Sequence, residues 1–218
     1  MGKLVVFEGP DKVGKETQSK LLAQNLKKQG VNCIRVEPSK EAHPRLKKLI
    51  YSMLDTGAAK RHPNTFQFVQ FLNKVYFQTF KLPKLQSVYD VVILDRWALS
   101  GYVYGEAEGI KPWLNKWMFN RVKRADITLV LSGASYKRST TTDDSYEKDN
   151  DLQTKVRIRY REVGLNWPGH ALVDNHDAID DVQASIQACL ERLNIIPSSR
   201  CPVCKASYDE PCQEAYHR

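Results

Sequence analysis

A chain of 218 residues, 42% hydrophobic and 27% charged, suits one α/β domain with a small appendage and can bury a real core, which excludes a disordered chain. No run approaches the roughly 18 apolar residues of a membrane span, and MGKLVVFEG turns polar too soon for a secretion signal, so a cytoplasmic setting without membrane contact is expected. The net charge of +8 suits an anionic ligand, nucleotide or nucleic acid, and equally a solvated lysine surface; charge alone does not separate these.

The first predicted element is a strand at residues 4–7 (LVVF). It runs into Gly9-Pro10-Asp11-Lys12-Val13-Gly14-Lys15, the Gly-x4-Gly-Lys frame of a phosphate-binding loop. A helix over residues 17–29 follows, with Leu22 and Leu26 one turn apart and Gly30 as its stop. Strand followed by loop followed by helix is the context the frame needs. Glycines let the backbone wrap phosphates, and the helix N-terminus favours their charge. In this frame Gly9, Pro10, Val13, Gly14, Lys15, Glu16 and Thr17 are the candidate donor-nucleotide contacts, with Lys15 against the β and γ phosphates. Glu16 stands where such loops carry the Ser or Thr that holds magnesium. Either its carboxylate takes the metal or the Thr17 hydroxyl does, and the residues leave that open.

A second strand at residues 33–36 (CIRV), helices over 46–54 and 65–82, and a third strand at 91–94 (VVIL) come next. Asp95-Arg96-Trp97 closes that third strand. A carboxylate at the carboxyl end of a parallel strand lies where open α/β sheets bind ligands, and Arg96 offers a planar fork to phosphate oxygens. A helix over 111–124, a strand at 127–131 (ITLVL), the polar stretch 132–151, a helix over 152–163, a strand at 171–173 and a helix over 177–193 complete the pattern. Five apolar strands alternating with helices predict a parallel sheet flanked by helices.

Two motifs in order, FEGPDKVGKETQ and DRWALSGYVY, resemble those of thymidylate kinases, which belong to the P-loop nucleoside monophosphate kinases. Phe7, Glu8, Gly9, Asp11, Gly14, Lys15, Thr17 and Gln18 match the first motif; Asp95, Arg96, Trp97, Ser100, Gly101 and Tyr104 match the second. The resemblance covers residues 3 to about 193. It implies a P-loop kinase fold with a five-stranded parallel sheet over residues 1–196, and a lid at 132–151. The reaction it implies is ATP-dependent phosphorylation of a deoxynucleoside 5′-monophosphate, foremost dTMP to dTDP. Lys15, Arg96, Asp11, Lys12 and the lid's Arg138 would be catalytic. Lys137 would join the ATP contacts, and Asp95 would hold Mg2+ with Glu16 or Thr17. Glu37, Gln70, Asn73, Lys74, Arg96, Ser100 and Tyr104 would bind the acceptor. Nucleotides are the expected partners, and family members often pair as dimers.

Several positions depart from the family pattern. Gln70 and Lys74 stand where thymidylate kinases carry a base-stacking Phe and an Arg; Phe68 or Phe71 is an alternative stacking ring. Val36 replaces the Arg of Arg-Glu-Pro, with Arg35, Lys40 or Arg45 as possible substitutes, and Ser145-Tyr146-Glu147 lacks the lid Arg. A different or modified base, 5-hydroxymethyl-dUMP for example, and an inactive kinase-fold binder of nucleotide or nucleic acid therefore remain as readings beside dTMP phosphorylation. Cys33 and Cys189 lie alone in apolar segments and read as core. Residues 197–218 read as a linker and a tail outside the resemblance, with Cys201, Cys204, Cys212 and His217 spaced Cys-x2-Cys-x7-Cys-x4-His. Three thiolates and an imidazole suit a structural Zn2+, and such a module contacts a protein or nucleic acid.

Overall fold

The computed structural model describes residues 1–133 and 150–198. Lys137, Arg138, the 145–147 pattern and the ligand set Cys201, Cys204, Cys212 and His217 lie outside the described residues. Five strands, β1 (Lys3–Glu8), β2 (Cys33–Val36), β3 (Val91–Asp95), β4 (Ile127–Ser132) and β5 (His170–Asp174), form one parallel sheet in the order β2-β3-β1-β4-β5. Each strand expected from the sequence lies within an observed one. Among the described residues, no helix is long and apolar enough to cross a membrane.

The strands are apolar on both faces because both faces are covered. Val5, Phe7, Ile93 and Leu129 point to α1 (Lys15–Lys28) and α9 (Ile179–Arg192), meeting Leu22, Leu26, Ile186 and Leu190. Leu4, Val6, Val92 and Leu94 point the other way, onto Phe77, Leu82, Trp97, Met118 and Phe119. A third cluster joins α2 (Pro44–Asp55), α4 (Pro63–Tyr76), α6 (Ala98–Ala107) and α8 (Asn150–Gly164) through Ile50, Phe66, Val103 and Val156. A one-turn α3 (Ala58–Arg61) links α2 to α4. Cys33 is buried, as expected, whereas Cys189 is only partly so.

Three helical expectations need correction. The single helix over 65–82 is three pieces: α4, a widened π turn at Phe77–Lys81, and α5 (Leu82–Val88). Pro83 explains the break, because it lacks an N–H and its ring clashes with the carbonyl four residues back. The helix over 111–124 is shorter, α7 (Pro112–Phe119). Helix α6 was not expected at all: ALSGYVYGEA contains two glycines, and no side chain at its own N-terminus caps it.

Those glycines let α6 lie against α7. A Cβ on Gly101 would fall 2.2 Å from the Phe119 ring, and one on Gly105 would fall 2.4 Å from the Asn115 side-chain oxygen. Phe119 is buried and packed on both sides, so it has no room to yield. Gly101→Ala is expected to destabilise the protein by about 1–3 kcal/mol, a fall of several degrees in Tm on thermal unfolding. An unchanged Tm would mean that the two helices are not held at this separation.

Candidate active site

The loop between β1 and α1 is shaped by close approach. Gly9 has φ 142°, and a Cβ there would lie 2.6 Å from the Leu131 carbonyl oxygen. Gly14 has φ 92°, with the Asn175 amide nitrogen 2.5 Å from where a Cβ would stand. Asn175, just after β5, donates to the Val13 carbonyl at 2.7 Å and so pins the loop to the sheet. Val13 is buried beneath it. Lys12 holds a left-handed backbone at φ 64°. Lys15 opens α1 with its side chain folded back, its ammonium donating to the Pro10 carbonyl. Burial, then the Arg96 cation, pushes Lys15 down to about 7. Glu16 and Thr17 are exposed on the first turn, and the Glu16 carboxylate accepts from Lys20 Nζ at 2.5 Å.

Register places Asp95 beside Phe7, so the ends of β1 and β3 bring the two motifs together. Arg96 has φ 66°, a strained value for a side-chain-bearing residue, and its N–H donates to the Phe7 carbonyl at 2.9 Å. The guanidinium is ion-paired with Asp11, and reaches the Gly9 carbonyl at 3.3 Å and Ser100 Oγ at 3.4 Å. Asp11 also accepts from the Tyr104 hydroxyl at 2.7 Å and from Gln153 Nε2 at 2.8 Å. Burial alone would raise the Asp11 carboxyl; Arg96, Lys15 and these hydrogen bonds overcome it and hold it at about 2. Desolvation opposes charge on Arg96, yet Asp11 and its neighbours keep it firmly protonated.

Glu8 at the end of β1 is fully buried and supplies the cap that α6 lacks. Its carboxylate accepts from the Trp97 N–H at 2.7 Å, the Ser100 N–H at 3.1 Å, the Ser100 hydroxyl and the Tyr160 hydroxyl at 3.1 Å. A carboxylate on a helix N-terminus satisfies orphan N–H groups and meets the positive end of the dipole.

Arg35 does not stand in for the Arg missing at position 36. Side chains alternate along a strand, so Val36 faces the apolar layer while Arg35 turns to α1. There it donates to Ser19 Oγ at 2.7 Å, Glu37 Oε1 at 2.9 Å and Asp95 Oδ2 at 2.5 Å. Glu37 also binds Lys40, and burial notwithstanding, these two cations lower its carboxyl.

A cleft of about 280 Å³ opens beside this cluster, lined by Asp11, Asp95, Arg96, Ser100 and Tyr104 on one wall. Its α4 wall carries Phe66, Gln70, Asn73 and Lys74, residues that share one helix face. Burial draws Lys74 down to about 8. Phe68 and Phe71 are not stacking rings for this cleft: Phe68 is on the outer face, and Phe71 packs against Trp117 at 5.8 Å in the core. The sequence reading missed Phe66, which helical spacing from Gln70 points to. It also missed Gln153 and Tyr160, which arrive from α8 with no local signal. A firmly protonated Arg96, a neighbouring lysine and neutral amides around a cleft can hold an anion and steady charge as it develops.

The thymidylate kinase family model matches residues 7–186. The probable thymidylate kinase of Thermococcus gammatolerans is 29% identical over 206 residues, spanning 88% of this chain and 97% of that protein. The probable thymidylate kinase of Thermococcus onnurineus is 27% identical over 205 residues, spanning 86% and 96%. The solved thymidylate kinase of Candida albicans superposes with a TM-score of 0.72 at 22% identity, covering 89% of this chain and 93% of that one, a likeness in fold.

Burial lowers Lys15 to about 7 and Lys74 to about 8. A phosphate placed beside them would raise both, so binding is expected to take up protons above about pH 7 and to tighten as pH falls through about 8 and then about 7. Calorimetry of nucleotide binding at pH 8, in buffers of different ionisation enthalpy, should show uptake on the order of one proton per nucleotide. At pH 6 the uptake by these lysines should vanish. Equal proton exchange at both pH values would contradict the depressed lysines.

Proposed function

The chain belongs to the thymidylate kinase family, whose members are nucleoside monophosphate kinases, and from that premise we propose that it transfers the γ-phosphoryl group of ATP to dTMP, giving dTDP and ADP. The observation that carries this reading is the meeting of Lys15, Asp11 and Arg96 at the mouth of the acceptor cleft. Phosphoryl transfer asks little covalent chemistry of the protein; it asks for alignment and for cations where charge spreads. The loop from Gly9 to Gly14 cradles the donor phosphates with its N–H groups. Lys15 releases the Pro10 carbonyl and turns to the β and γ oxygens. Arg96 meets the acceptor phosphate, with Asp11 holding the guanidinium in place until then. Lys12, beside Asp11 in the same loop, adds a further cation. Ser100 and Tyr104 line the nucleoside side of the cleft.

Magnesium binds through one or two carboxylates, water and the substrate's own phosphates, so it needs no closed cage of protein ligands. Asp95 at the end of β3 and Glu16 or Thr17 at the start of α1 fit that donor set, and no group of three or more acidic, His or Cys ligands occurs among the described residues. Bound there, the ion would neutralise phosphate charge. Lys137 and Arg138 complete this reading as lid contacts to ATP.

The test is ADP release from ATP and Mg2+ with dTMP, dUMP, 5-hydroxymethyl-dUMP, dCMP, dGMP and dAMP. dTMP should be turned over best. Lys15→Ala and Arg96→Ala should each lower kcat by about 10³-fold or more, because each removes a cation from developing phosphate charge. Full activity in either variant would remove that residue from the mechanism. ATP binding with no turnover of any monophosphate would leave a binding protein on a kinase fold.

A further inference from the structure

On the α1 side of the sheet, α1, β2 and β3 meet around one guanidinium. Arg35 uses every nitrogen: Nε donates to Ser19 Oγ at 2.7 Å, Nη1 to Glu37 Oε1 at 2.9 Å and Nη2 to Asp95 Oδ2 at 2.5 Å. Ser19 is fully buried, and its hydroxyl donates in turn to the Glu16 carbonyl at 3.1 Å. The bracket thus runs from the first turn of α1 through the end of β2 to the end of β3. Its two ends are the places from which Mg2+ would be held, Glu16 or Thr17 on one side and Asp95 on the other. The Arg35, Glu37 and Asp95 side chains are 14%, 21% and 12% exposed, so solvent screens their pairing little. Lys40, paired with Glu37 at 2.7 Å, also lies within electrostatic reach of Glu16.

A carboxylate beside an arginine is a different ligand from a free one. Its charge is offset, one oxygen is committed, and it no longer grips a cation with both oxygens. Between Glu37 and Asp95 the chain has set its own fixed cation, where two carboxylates would otherwise attract a mobile one. Resting on the kinase reading above, we propose that Arg35 is a positioning residue for Asp95, the carboxylate that would hold Mg2+. By taking Oδ2 and tying it to the first turn of α1, Arg35 leaves the other oxygen, Oδ1, for the ion's hydration shell. It also keeps the carboxylates from capturing a divalent cation before a nucleotide brings one. Magnesium dehydrates reluctantly and draws most of its ligands from water and substrate phosphates. A restrained carboxylate suits that preference, because it orients the ion without competing for it. Arg35 therefore acts through Asp95, on the face of β2 opposite to Val36.

The test uses the full chain without substrate. Mn2+, which stands in for Mg2+ and is followed by electron paramagnetic resonance, is titrated into the wild type, Arg35→Met and Arg35→Lys. Arg35→Met should bind Mn2+ about tenfold or more tighter than the wild type, because Glu37 and Asp95 then face each other uncompensated. Millimolar Mg2+ should raise the Tm of Arg35→Met and leave that of the wild type unmoved. Arg35→Lys keeps the charge but lacks the planar fork. It should bind Mn2+ as the wild type does, yet lose about tenfold or more in kcat through misplacement of Asp95. A tie that merely holds β2 in place would lower Tm in both variants and leave Mn2+ affinity unchanged. That result, or full kcat in Arg35→Lys, overturns the proposal. If Arg35→Met does not fold, Arg35→Gln, which can still donate to Ser19, takes its place in the titration. If no monophosphate is phosphorylated, the kinase reading falls and the metal titrations still decide the role of Arg35. If dTMP is phosphorylated and the titrations coincide, the Arg35 assignment falls and the kinase reading stands.

Discussion

One buried carboxylate organises the site. Glu8 is sealed from solvent and accepts four hydrogen bonds, from the Trp97 and Ser100 N–H groups and from the Ser100 and Tyr160 hydroxyls. These partners come from the β3–α6 turn, α6 and α8, while Glu8 itself ends β1. A buried anion with its lone pairs answered is tolerable; with any one removed it becomes costly. The network thus ties three elements to one point of the sheet. The strained Arg96 lies inside that tie, its neighbour Trp97 and its near partner Ser100 both bound to Glu8. A backbone at φ 66° persists only when its surroundings hold it there.

From this fixed point the charges follow an order. Lys74 and Arg96 line a cleft that also contains Asp11 and Asp95, and Lys15 lies within electrostatic reach of Asp11 and Arg96. Asp11 is the counter-ion of Arg96 in the unliganded protein, and Arg35 is the counter-ion of Asp95. Arg96 is held in position by Asp11, whereas Lys15 is folded onto the Pro10 carbonyl and must turn to meet an anion. The same arrangement shows what the altered positions do. Val36 packs in the apolar layer, and Arg35, on the opposite face of β2, holds Asp95 and Glu37. Glu16 lies on the solvent side of α1 beside Lys20.

How much of this was legible in the sequence depends on where each signal lies. The strands were plain because double-sided burial writes itself as unbroken apolar runs, such as Val91 to Leu94. Lys15, Asp11 and Arg96 were plain as candidates because they sit in short contiguous motifs, and the fold brings those motifs together. Helix α6 was hidden because its cap is Glu8, distant in sequence, and its glycines serve α7 rather than helix propensity. Gln153 was hidden for the same kind of reason: only the fold carries α8 to Asp11. The π turn before Pro83 was missed because the apolar period runs through it unbroken, and the break comes from one missing N–H.

The acceptor wall joins these threads. In the family pattern an aromatic ring and an arginine face the base; here the corresponding positions are Gln70 and Lys74, and the two nearest sequence candidates for a replacement ring point elsewhere. Phe66 is the aromatic that α4 turns into the cleft. Stacking accepts any flat ring, because every base has a π face. A side-chain amide such as that of Gln70 offers both a donor and an acceptor, and an ammonium such as that of Lys74 only donors. A wall carrying such groups where the family pattern has a ring and a guanidinium is expected to exchange tolerance for discrimination, because hydrogen bonds fix an order of donor and acceptor that stacking does not.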